Sequence, residues 1–91
     1  MLDVISSNQF KRDLKLAKKR GFDISLLKEV VDILAREEKL DEKYKDHSLK
    51  GEYKDFRECH IEPDWLLVYR IEIDVLELFL FRTGTHSDLL E

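Results

Sequence analysis

Three short clusters in the second half of this chain hold the residue types that move protons and bind phosphate. They are Asp46-His47, His60-Ile61-Glu62-Pro63-Asp64-Trp65 and Arg82-Thr83-Gly84-Thr85-His86, and they contain every histidine of the sequence. An imidazole is the side chain best matched to acid–base work near neutral pH. With carboxylates and an arginine beside them, the histidines have the parts for cleaving RNA without a metal. The ribose 2′-OH must lose a proton to a base, and the leaving 5′-oxygen must receive one from an acid on the far side of the phosphorus. The phosphorane between them carries extra negative charge. A guanidinium suits it, because its fork of donors matches phosphate oxygens and it stays charged. Trp65 offers a face on which a base of single-stranded RNA can stack, although an indole is more often a core residue. The histidines do not fall at the spacing of a compact metal motif, and there is no Gly-rich phosphate loop or nucleophile elbow. Neither a metal nor a cofactor is expected.

These clusters need a scaffold that gathers them. Residues 2–5 read as a short strand. Ser6 and Gln9 have the spacing of a capping box, and Ile5 and Phe10 that of a hydrophobic staple, so a helix is expected from Ser6. Phe10, Leu14, Ala17 and Gly21 repeat along one helical face, and Gly21 ends it. Asp23 caps a second helix with Ile24, Leu27, Val31 and Leu34 as its apolar stripe. Residues 40–55 are charged and irregular. From residue 56 the period changes to two, giving strands at 56–61, 65–71 and 75–82, with a turn at Glu62-Pro63-Asp64. A short helical turn closes the chain at 86–90. The expected fold is α+β, in the order β-α-α-β-β-β. An antiparallel C-terminal meander carries a two-helix hairpin on one face and leaves the other face for function. Alternation puts Glu58, His60 and Glu62 on one side of their strand and Cys59 and Ile61 on the other.

The chain has 91 residues, enough for one domain over residues 1–91. The opening Met1-Leu2-Asp3-Val4-Ile5 lacks the charge and long apolar stretch of a secretory leader. With a single cysteine, Cys59, a reducing cytoplasmic setting is expected. The net charge is −4, which argues against general nucleic-acid binding. The cations are grouped, however. Lys11, Arg12, Lys15, Lys18, Lys19 and Arg20 crowd the first helix around one anion, Asp13, and Lys50, Lys54 and Arg57 follow His47. Local field, rather than net charge, steers an anionic ligand.

The sequence closely resembles the YafQ branch of the RelE/ParE toxin superfamily. The resemblance rests on Tyr44-Lys45-Asp46-His47-Ser48-Leu49-Lys50-Gly51, on Phe56-Arg57-Glu58-Cys59-His60-Ile61-Glu62-Pro63-Asp64-Trp65-Leu66-Leu67-Val68-Tyr69, and on Arg82-Thr83-Gly84-Thr85-His86-Ser87-Asp88-Leu89. It extends to the basic stretch from Phe10 to Arg20. It implies the RelE-like fold and the toxin half of a type II toxin–antitoxin pair: a ribosome-dependent mRNA endonuclease whose product ends in a 2′,3′-cyclic phosphate. It also implies a cognate antitoxin that inhibits the toxin and, in complex with it, binds operator DNA.

Carried over by position, His47, His60, Asp64 and His86 match active-site residues, Arg82 the phosphate-binding arginine, and Glu58 an acidic residue implicated in catalysis. Trp65 matches an active-site tryptophan. His86 is expected to be the general acid. The base is either Glu58 or Asp64, with His60 orienting it, and His47 orients substrate or shares proton transfer. Lys50, Lys54 and Arg57 are expected RNA contacts, and Lys11, Lys15, Lys18 and Lys19 expected contacts to ribosomal RNA. Leu90 stands where the best-known member has a phenylalanine, which weakens an expected contact with a base. The rival readings are a ParE-like gyrase poison and an inactive toxin-fold binding module. The three histidines favour RNA cleavage over the first, and the net negative charge fits poorly with autonomous DNA binding by the second.

Overall fold

The computed structural model describes residues 1–89. Strand β1 (Asp3–Ser6) leads into helices α1 (Asn8–Lys19) and α2 (Ile24–Ala35), followed by β2 (His47–Ser48), β3 (Arg57–Glu62), β4 (Trp65–Glu72), β5 (Glu77–Gly84) and a short helix α3 (His86–Leu89). Single 3₁₀ turns at Glu42–Tyr44, Gly51–Tyr53 and Ile73–Val75 connect them. The five strands form one sheet in the order β1-β5-β4-β3-β2. β1 runs parallel to β5, and the other pairs are antiparallel. No helix among the described residues is long and apolar enough to cross a membrane. The α+β architecture expected from the sequence is therefore present. The strand expected at residues 2–5 is its parallel edge strand, and a two-residue strand, β2, is added inside the stretch read as irregular.

The start of α1 differs from the reading by one residue. Ser7, not Ser6, is the N-cap: its Oγ accepts from the Phe10 amide at 2.9 Å and donates to the Phe81 carbonyl at 2.7 Å. Ser6 is instead the last residue of β1, opposite Leu80. With the cap moved, Gln9 no longer has capping-box spacing, and it donates to Asp13 Oδ1 instead. Ile5 lies 43% exposed, so no staple forms with the buried Phe10. The parallel pairing to β5 decided the cap, because it fixes where β1 must stop and which serine faces the Phe81 carbonyl.

Gly21 ends α1 with φ +80°. The Phe22 amide donates to the Ala17 carbonyl and the Gly21 amide to that of Lys18, the double bond of a Schellman turn. Asp23 caps α2 by accepting from the Ser25 amide at 3.0 Å. The helix hairpin lies on one sheet face and buries Phe10, Ala17, Leu27, Val30 and Leu34 against Cys59, Trp65, Leu67, Tyr69, Leu78 and Leu80. Cys59 is wholly buried, and burial pushes its thiol up. Ser7→Ala removes a cap and a tie to β5 together. The variant is expected to lose about 1–2 kcal/mol, read as a lower urea midpoint with unchanged slope.

Candidate active site

The face of the sheet away from the helices carries the site. Sheet register builds its first row: His47 on β2 pairs with Glu58 on β3, Glu58 with Val68 on β4, and Val68 with Arg82 on β5. Adjacent strands are about 4.8 Å apart, so the row from His47 to Arg82 is roughly 14 Å long. The alternation read from the sequence holds here. Cys59 and Ile61 enter the core, whereas Glu58 and His60 belong to the other side. A bulge on β5, where Tyr69 pairs with Leu80 and Val68 with Arg82, leaves Phe81 as the extra residue. Phe81 and Arg82 both line a cleft over Val68.

The three histidines form a chain of rings beside this row. The ring centroids of His47 and His60 are 6.4 Å apart, and those of His60 and His86 5.6 Å. Each ring is set by its Nδ1. That of His47 lies 2.8 Å from the Lys45 carbonyl, that of His60 3.3 Å from the Pro63 carbonyl, and that of His86 2.5 Å from Asp64 Oδ1. A carbonyl accepts, so Nδ1 of His47 and His60 carries the proton and Nε2 is left for chemistry. His47 Nε2 lies 3.6 Å from Glu58 Oε1. Glu58 is 3% exposed.

Asp64 is a holder of His86. Its Oδ1 accepts from the His86 amide at 2.9 Å and faces the ring as well, and these bonds, the backbone one first, keep its carboxyl below the ordinary range. The short helix bearing His86 has a second anchor. Asp88 accepts from both Arg20 terminal nitrogens and from the Thr85 amide, and chiefly the Arg20 bonds hold its carboxyl well below the usual range. Gly84 makes this possible, since a Cβ there would lie 2.9 Å from Asp88 Cβ.

Two supports escaped the sequence reading. Asp13, buried in α1, accepts from Arg82 Nε at 2.8 Å, Arg82 Nη2 at 3.2 Å and the Thr83 amide at 3.1 Å. Its signal was a lone anion beside the Phe10–Ala17 stripe of a basic helix. Asp46 accepts from Arg57 and from the Tyr69 hydroxyl, which burial, chiefly, and this bond push up. This contact pins the residue before His47.

Two expectations are corrected. Trp65 is 1% exposed, stands 5.0 Å from the Phe22 ring and donates Nε1 to Thr83 Oγ1, so it is a core residue with no face open for a base. Arg57 spends all its nitrogens on Asp46 and Ser48 and is a clamp on β2 rather than an open RNA contact. Lys11, Lys15, Lys18 and Lys19 on α1, and Lys50 and Lys54 around the Gly51–Tyr53 turn, are all exposed. Leu90 lies outside the described residues. Among the described residues no group of three or more His, Cys, Asp or Glu side chains is arranged to hold a metal ion.

A family model described as the bacterial toxin of type II toxin–antitoxin system, YafQ, matches residues 2–91. The chain belongs to the YafQ family. The mRNA interferase toxin YafQ of Escherichia coli K12 is 41% identical over 88 residues, covering 96% of this chain and 94% of that protein. The crystal structure of a metal-bound toxin from Helicobacter pylori has a TM-score of 0.93 at 55% identity and covers 98% of this chain and 99% of that one. The toxin in an E. coli DinJ–YafQ complex has a TM-score of 0.90 at 39% identity, with both chains fully covered. The sheet carrying the histidine row is thus the YafQ fold throughout.

Asp64 and Asp88 set the acid limit of this site. Each folded carboxyl is below the ordinary ~3.9, so the stability they contribute is complete above about pH 4 and lost as pH falls through the lower folded values. The Thr85 and Leu89 amide resonances are expected to hold their native positions down to about pH 4 and to move below it. Asp88→Asn is expected to move them already at pH 7. Native positions in that variant at pH 7 would show that Asp88 does not hold α3.

Proposed function

We propose that this YafQ-family protein is an mRNA interferase that cuts mRNA in the ribosomal A site by metal-free acid–base catalysis. The observation that carries the reading is the convergence of three imidazoles, two carboxylates and a guanidinium on one sheet face. His86 is the general acid. Asp64 fixes its ring through Nδ1, which leaves Nε2 to protonate the leaving 5′-oxygen. Glu58 is the base for the 2′-OH, because Asp64 is committed to His86 whereas Glu58 stands in the strand row beside His47. His47 shares the proton that Glu58 takes up, and His60, between the other two rings, orients the ribose and phosphate. Arg82, held by Asp13 through Nε and Nη2, turns its remaining nitrogen to the phosphorane, and its bond to Asp13 raises its pKa further. The product is a 2′,3′-cyclic phosphate.

The exposed lysines of α1 and of the Gly51–Tyr53 turn supply salt-sensitive contacts to ribosomal and messenger RNA phosphates. The E. coli relative solved as a DinJ–YafQ complex supports a cognate antitoxin as the protein partner, with operator DNA bound only through that complex. The setting is the cytoplasm, where ribosomes are. A gyrase poison has no use for three histidines gathered around a carboxylate, and a binding module has no need to fix each ring at Nδ1.

Cleavage on programmed ribosomes tests the assignment. His86→Ala is expected to lower the single-turnover rate by about 10²–10⁴-fold and Arg82→Ala by about 10²–10³-fold. A 2′-deoxynucleotide at the cut site is expected to abolish cleavage. Wild-type rates in both variants would overturn the assignment.

A further inference from the structure

Beside the histidines lies a feature that proton transfer does not use. A cleft of about 110 Å³ opens on the same face between Leu49, Tyr53, Val68, Phe81, Arg82 and Leu89. Its floor, Val68, pairs with Glu58 on one side and Arg82 on the other. The cleft is therefore continuous with the row proposed to hold the scissile phosphate. Two of its lining residues, Tyr53 and Phe81, are rings. Tyr53 lies 6.2 Å from Phe81, and Phe81 stacks on Phe56 at 4.6 Å and 28°. Behind them, the Arg70 guanidinium stands 4.8 Å from the Phe56 centroid and 5.2 Å from that of Phe79. The inner rings are locked by this packing, whereas Tyr53 at the outer end is 47% exposed. Among the described residues, the one charged lining group is Arg82.

We infer that this cleft is a nucleobase subsite: the base of one nucleotide flanking the scissile phosphate packs against Tyr53 and Phe81 while Arg82 holds the phosphate. The chemistry of the lining selects this occupant. Flat apolar rings fit the π-face of a base, and one guanidinium fits the phosphate attached to it. Lys50 and Lys54, exposed at the ends of the turn that carries Tyr53, attract the backbone on either side. Stacking of this kind tolerates any base and supplies position rather than sequence choice. Tyr53 is thus a positioning residue, and the ring face, not the hydroxyl, does the positioning. The inference rests on the endoribonuclease reading given above.

RNA carrying one abasic nucleotide, placed in turn on each side of the cut, separates the two ideas on programmed ribosomes. At one of the two positions the abasic site is expected to lower wild-type kcat/KM by about 5- to 100-fold. Tyr53→Phe is expected to behave as wild type. Tyr53→Ala is expected to lose a similar factor on intact RNA, to lose little more with the abasic site, and to keep the wild-type pH profile. Equal abasic sensitivity in Tyr53→Ala and wild type would overturn the subsite and leave the nuclease standing. If wild type cuts no RNA, the nuclease reading falls, and a 2′-O-methyl trinucleotide decides the cleft by itself. Shifts of the Tyr53 and Phe81 ring protons on its addition support the subsite, and their absence overturns it.

Discussion

The register between β3, β4 and β5 is the constraint on which everything else depends. A slip of one residue along β3 would exchange Glu58 and His60 for Cys59 and Ile61, because side chains alternate faces with a period of two. The register is locked from the core side. Trp65 donates to Thr83 Oγ1, and Thr83 Oγ1 donates to the Leu66 carbonyl, so β4 and β5 are tied by side chains as well as by the ladder. Asp13 adds a third tie, since it accepts from the Thr83 amide and from the Arg82 guanidinium together. The group that positions Arg82, the proposed phosphate ligand, is thus also a group that sets the strand bearing it.

The histidines demand different devices, because only His60 sits inside a long strand. His47 belongs to a two-residue strand that could not hold itself. It is tethered by Arg57 and Tyr69 through Asp46, and by a left-handed Lys45, φ 51°, whose carbonyl faces the ring. His86 sits on a single turn of helix held by Asp64 on one side and by Arg20, through Asp88, on the other. The site is therefore assembled by three kinds of restraint: ladder, buried hydrogen-bond clamp and surface ion pair. These differ in strength, and the last is the one most open to pH and salt.

The two helices, the three long strands and the division of Glu58 and His60 from Cys59 and Ile61 were legible because each follows from a local period. The family was legible from three motifs that a single strand pattern would not supply. The rest depended on pairings between distant residues. Ser6 and Ser7 offer equivalent caps until β1 is laid beside β5. β2 is too short to show alternation and exists only because β3 offers an edge. The sequence alone does not tell Trp65 the stacking platform from Trp65 the core residue. The deciding facts are Phe22 and Thr83, which the chain brings to it from opposite directions. Arg57 looked like a free cation for the same reason, since its partner Asp46 becomes a neighbour only once β2 pairs with β3.

Cys59 lies between Glu58 and His60 on β3, with its sulfur wholly enclosed and its thiolate form disfavoured by burial. An alkylating reagent can reach that sulfur only when β3 has left the sheet, and at that moment Glu58 and His60 have lost their neighbours too. The single thiol therefore reports on the site from within: it can be labelled only in that fraction of molecules in which the folded site does not exist.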